Sequence, residues 1–195
     1  MVRRAAPPQG IRSVRFHALW RVAGARLSLG HYAMVRIKIT NGPSCFRPQS
    51  AEKAQSGSSL EIEAWTPSEV EAIAPLVGQL MGLIERSHCV TGEEPKIELA
   101  LQEALNNAVV HGNRMDSRKV VHVLCRCELG KGVSLVVSDE GQGFDPSAVP
   151  DPVANENLEC PHGRGIYFMK SLMDEVSFER EGTEIHMRKW RKCDS

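Results

Sequence analysis

Residues 1–50 contain no aspartate or glutamate, and no pair of the six cysteines has C-x-x-C spacing. No apolar run in the 195 residues approaches the roughly 18–20 needed to span a bilayer, which argues against a membrane-spanning segment. Neither of the loops Gly141-Gln142-Gly143 and Gly163-Arg164-Gly165 is completed by a third glycine at G-x-G-x-x-G spacing, so a dinucleotide fingerprint is excluded. The acids missing from the start are concentrated later. Nine of the 24 basic side chains lie in residues 1–50, so the remaining 145 residues carry 15 basic and 24 acidic groups, a net of −9. A body of that charge repels phosphate backbones at long range and is a poor binder of nucleic acid.

Cys125 and Cys127 alternate within an apolar run and would share one face of a strand. With Cys45, Cys89, Cys160 and Cys193 they read as buried or free thiols of a reducing cytoplasm. Residues 1–58 form a basic extension interrupted by Pro7, Pro8, Pro43 and Pro48 and ending on small polar residues. Such a composition buries too little surface to offset its ordering entropy, so the extension is expected to be mostly disordered. It also has the Arg-rich, acid-free character of a transit peptide, and Met34 is an alternative start.

From residue 59 to 192 the pattern is that of one domain. Leu60–Trp65 alternates as a half-buried strand. Thr66-Pro67-Ser68-Glu69 supplies a capping box for a helix reaching Ser87, with Val70, Ile73, Ala74, Val77, Leu80, Met81 and Ile84 as its apolar stripe. A second helix is expected from Glu94 to His111. Strands at 120–128 and 133–138 form a hairpin, Gly163 to Met173 forms a helix, and strands at 176–179 and 184–188 close the chain. Helices and strands mix without strict βαβ alternation, which favours an α+β sandwich over a doubly wound sheet.

Glu103 and Asn107 stand four apart on an otherwise apolar helix face, where a carboxylate and an amide need a ligand or partners. A solvated pair on a surface helix is the plainer reading. His111-Gly112 ends that helix on the same face, which suits a nearby ligand or a simple C-cap. Asp139-Glu140-Gly141-Gln142-Gly143 begins where a strand stops; glycines there allow backbone to approach a flat ligand, and the aspartate can accept from an exocyclic amine. Gly163-Arg164-Gly165 opens a helix whose free N–H groups suit an anion.

In order and spacing, Glu103-x-x-x-Asn107-x-x-x-His111-Gly112, Asp139-x-Gly141-x-Gly143, Gly163-Arg164-Gly165 and Gly182-Thr183 resemble the N, G1 and G2 boxes of the GHKL ATPases. Within them the chain is most similar to the anti-sigma serine/threonine kinases of the RsbW and SpoIIAB type, over roughly residues 60–190. The Asn-Ala-Val-Val-His-Gly helix end, Met173–Val176 and the compact Gly-Thr hairpin carry that likeness. The resemblance implies a two-layer α/β sandwich of the Bergerat type, with a mixed, mostly antiparallel sheet and helices on one face. It implies ATP and Mg²⁺, with Glu103 as general base and Asn107 as metal ligand. Asp139 would bind the adenine amine with Thr183 helping through water, and Gly141 and Gly143 would shape the base pocket. Gly163, Arg164 and Gly165 would embrace the phosphates, and residues 145–162 would form the ATP lid. The implied partners are a STAS-domain anti-anti-sigma protein, a sigma factor and a second copy in a homodimer. An ATP-binding partner-switching module without kinase activity, and an orphan histidine-kinase catalytic domain, are the alternatives. Residues 1–58 do not look like a dimerisation helix, and His88, His111, His122, His162 and His186 read as structural or surface residues.

Overall fold

The computed structural model describes residues 34–40, 59–145 and 164–192. Six strands form one sheet in the order β1-β2-β3-β4-β6-β5. They are β1 Met34–Thr40, β2 Ser59–Pro67, β3 Val120–Glu128, β4 Gly132–Ser138, β5 Glu175–Glu179 and β6 Glu184–Trp190. All five neighbouring pairs are antiparallel. Three helices, α1 Ile73–Ser87, α2 Glu94–Asn106 and α3 Arg164–Leu172, give the α+β sandwich.

Strand alternation divides the sheet cleanly. Ile62, Ala64, Val121, Val123, Leu135, Val137, Ile185 and Met187 are buried and join one core cluster with the helices. Into it α1 sends Ile73, Leu76, Val77, Leu80 and Ile84, and α2 sends Ile97, Ala100, Leu101, Ala104 and Leu105. Cys125 and Cys127 do share the core face, with sulfurs 4.0 Å apart, and Cys89 is likewise a buried free thiol. Contacts among these thiols, and burial, push the pKa values of Cys89 and Cys127 far up, so both stay protonated and unreactive. Cys45, Cys160 and Cys193 lie outside the described residues.

Three expectations change. The stretch 34–40 falls within the extension expected to be disordered, yet it is an edge strand paired with β2 along its whole length. Its residues alternate apolar and basic, and Arg36 meets the Glu63 carboxylate across the pair at 3.2 Å. The rest of that extension lies outside the described residues. The capping box does not form, because β2 continues through Pro67 and the Ser68 N–H donates to the Lys119 carbonyl. Helical winding begins only at Val70, with no side-chain cap, and Val70 and Ala74 are exposed while Leu76 is buried. Finally, the regular α2 helix stops at Asn106, and Asn107–Gly112 winds as a wider π-helical turn.

Candidate functional site

That wide turn shapes the site. The Asn113 N–H reaches back five residues to the Ala108 carbonyl at 2.8 Å, and the Met115 N–H reaches Val109. Arg114 and Met115 then take left-handed backbone conformations, with φ of 58° and 57°, which reverse the chain towards β3. π-helical turns are uncommon and concentrate at functional sites. Asn107 is half-buried at the first position of the turn, and His111 is exposed near its end.

Gly112, at the close of the turn, lies directly against Asp139, just past the end of β4. A Cβ on Gly112 would come within 2.5 Å of both Asp139 carboxylate oxygens, and one on Gly141 would overlap the Gly112 backbone. Asp139 accepts the Gly141 N–H at 2.7 Å and donates its own N–H to the Thr183 carbonyl at 3.0 Å. Burial raises its pKa above the ordinary aspartate value, partly offset by the Gly141 N–H. A desolvated carboxylate between glycines is equipped to accept from a flat, amine-bearing ligand.

The β5–β6 turn closes the other side. Gly143, at φ 73°, packs on the Glu181 backbone, and the Phe144 N–H donates to the Glu181 carbonyl at 2.9 Å. Arg180 and Glu181 are themselves left-handed, at φ 50° and 57°. The Thr183 hydroxyl donates to the Arg180 carbonyl at 2.8 Å, so it holds the turn together next to Asp139.

At the opposite end, the Glu103 carboxylate from α2 lies against Gly165 in the first turn of α3, where a Cβ would overlap it. A helix start carries partial positive charge, and the Glu103 carboxylate sits beside that of α3. Gly163, the Arg164 side chain and residues 146–162 lie outside the described residues. Glu103 with Gly165, and Gly112 with Asp139, Gly141 and Thr183, are thus brought together as two clusters. The sequence reading missed Asn113, Glu140 and Glu181, whose contacts hold the second cluster in place. An asparagine just after a helix-ending glycine gives little signal beyond a cap.

The other face of the sheet is separate and charged. Glu179, Glu184 and His186 bring their ligand atoms within 4.8 Å of one another there. Glu184 is already engaged by His186 at 2.7 Å, Ser138 at 3.0 Å and Arg180 at 3.4 Å, so the cluster is satisfied within the protein.

A match to the histidine kinase-like ATPase domain covers residues 66–189, from the end of β2 to β6. The serine-protein kinase RsbW of Staphylococcus epidermidis is 30% identical over 138 residues, covering 67% of this chain and 87% of the relative. The proteins of that name from Staphylococcus aureus strains MSSA476 and Newman are 28% and 27% identical over the same length and shares. With the matched segment enclosing both clusters and all three helices, the chain belongs to the histidine kinase-like ATPase domain family.

Proposed function

We propose that the chain is an ATP-dependent serine/threonine protein kinase acting as an anti-sigma factor. Its domain runs from 59 to 192 with β1 added at the sheet edge. The observation that carries the reading is the pairing of two unlike clusters: a desolvated carboxylate held between Gly112 and Gly141, and a second carboxylate beside a helix start at Gly165.

The residues present fit Mg²⁺-ATP. The Gly112–Asp139–Gly141 cradle admits no Cβ, as close approach to a planar base requires. Asn107 offers a hard amide oxygen of the kind Mg²⁺ takes alongside its waters. Mg²⁺ would neutralise charge on the phosphates. Asp139 would accept from the adenine amine, with Thr183 assisting through water, while Gly141 and Gly143 keep the pocket open. Asn107 would hold the ion, His111 would lie near the phosphates, and Gly163, Arg164 and Gly165 at the start of α3 would receive them. Residues 145–162 would cover the nucleotide as a lid. Glu103 would take the proton of the attacking hydroxyl, leaving the rest of the work to positioning and charge neutralisation.

The acceptor is a serine or threonine of a STAS-domain anti-anti-sigma partner, and the unengaged protein holds a sigma factor as a cytoplasmic homodimer. The RsbW names of the relatives support the kinase reading. Incubation with γ-labelled ATP, Mg²⁺ and candidate STAS proteins should give acid-stable label on the partner. Tight ATP binding without transfer would leave a partner-switching module, and acid-labile label would point to histidine chemistry.

A further inference from the structure

The strand parity of β3 singles out one more residue. Ser68 donates to the Lys119 carbonyl, so the Ser68–Lys119 position is a hydrogen-bonded one, and Pro67–Val120 beside it is not. The missing proline N–H therefore costs nothing, and Val120 turns its N–H and C=O towards β4. The β3–β4 register, with His122 opposite Ser138, places Glu140 opposite Val120 as the next rung. That rung is not made directly. The Asn113 side chain fills it: its Oδ1 accepts the Glu140 N–H at 2.9 Å, and its Nδ2 donates to the Val120 carbonyl at 3.1 Å. The Val120 N–H is taken by the Glu140 carboxylate at 2.8 Å.

We infer that Asn113 is a positioning residue for nucleotide recognition, a primary amide inserted as a peptide mimic between β3 and β4. By spreading the strands one rung beyond Ser138, it turns Asp139–Gly141 out of the ladder and onto Gly112. Only 1% of Asn113 is exposed, and its backbone N–H is fixed to the π-helical turn, so the same residue locks the turn and the loop together. Asparagine is the side chain that can donate and accept across this gap at once. Aspartate keeps the acceptor but turns a carboxylate oxygen towards the Val120 carbonyl; alanine leaves both strand groups without their partner. This inference rests on the proposed role of Asp139 towards adenine.

The test compares ATP with GTP, because general loosening of the fold would weaken both alike. Wild-type protein should prefer ATP over GTP in titration calorimetry. Asn113→Ala should weaken ATP by about 10–100-fold, the scale of one buried polar pair left unsatisfied, and bring the two nucleotides to near-equal affinity. Asn113→Asp should also reduce the preference, and it serves as the probe if the alanine variant does not fold. A variant that retains the wild-type ATP:GTP ratio, whatever its absolute affinity, overturns the role of Asn113 while leaving the ATP site standing. Wild-type protein without a preference for ATP overturns the base-recognition reading and this inference with it.

Discussion

The two ends of the candidate nucleotide site are built on different principles. The end around Asp139 is held by main chain and buried amide: Gly112 and Gly141 touch it, Thr183 receives its N–H, and Asn113 replaces a strand rung beneath it. The end around Glu103 is made of a helix side chain facing the start of another helix, with Asn107 in the wide turn that follows. Main chain fixes shape and suits recognition of a rigid base. Flexible side chains at helix ends suit groups whose charge changes during transfer.

Substitutions should separate those two roles. The largest effect belongs to the helix-borne end: Glu103→Ala should reduce phosphoryl transfer by about 10²–10⁴-fold, the scale of a lost general base, with ATP affinity little changed. Single-turnover transfer from labelled ATP, with calorimetry alongside, would show it, and near-wild-type transfer would sink the assigned role. Asn107→Ala should instead abolish Mg²⁺-dependent ATP binding and leave the circular dichroism spectrum unaltered.

At the main-chain end the distinction is sharper still, because two neighbouring glycines should respond differently. Gly141→Ala drives its Cβ into the Gly112 backbone, which cannot move without the turn, so stability should fall by about 1–3 kcal/mol, lowering the melting temperature, and ATP affinity should fall with it. The nearest atoms that Gly112→Ala meets are those of the Asp139 carboxylate, a side chain that can rotate at the cost of its bond from the Gly141 N–H. It should weaken ATP while largely sparing thermal stability. Equal loss of stability in both variants would contradict this division.

Helix α2, which carries Glu103, is tethered at its other end by charge. Glu93, just before α2, is buried and receives Lys96 at 2.9 Å, Lys189 at 3.4 Å and Lys192. Hydrogen bonds from Lys192 and Lys96 hold its pKa down from 4.5 to about 2. A depressed carboxyl contributes stability that is complete above pH 4.5 and is lost as pH falls towards 2. Glu93→Gln should therefore cost about 1.5 kcal/mol at neutral pH, the low end for hydrogen bonds to a charged group. The gap in melting temperature from wild type should narrow as pH drops through that window. A gap independent of pH would show that Glu93 contributes through packing instead.

What could be read from the chain follows the same divide. Glu103, Asp139 and the glycine loops are local patterns with a chemical meaning, and most helices and strands announce themselves by period. The wide turn at 107–112 does not, because its cause lies across the fold: Gly112 must reach Asp139, and Asn113 must reach β3 and β4. The capping box failed for a similar reason, since pairing with Val120 claims Pro67 for the sheet before the helix can use it. Strand β1 was missed differently. Val35-Arg36-Ile37-Lys38-Ile39 alternates plainly, but the composition of the surrounding 58 residues masked it.

That edge strand gives the smallest and most specific test. Arg36 pairs with Glu63 at 3.2 Å and stacks over Trp65 at 5.3 Å, while Glu63 also meets His122 at 3.2 Å. Both partners of the ion pair are about one-third exposed, at 34% and 30%, so solvent screens much of the attraction. A double-mutant cycle of Arg36→Ala and Glu63→Ala should give a coupling of about 0.2–1 kcal/mol that shrinks with added salt. ATP affinity should be unaffected, because these contacts among Arg36, Glu63, Trp65 and His122 involve neither Asp139 nor the glycines beside it. A measurable coupling places β1 in the folded domain in solution; a coupling of zero with unchanged single-mutant stabilities would detach the strand from the sheet and return Met34–Thr40 to the extension.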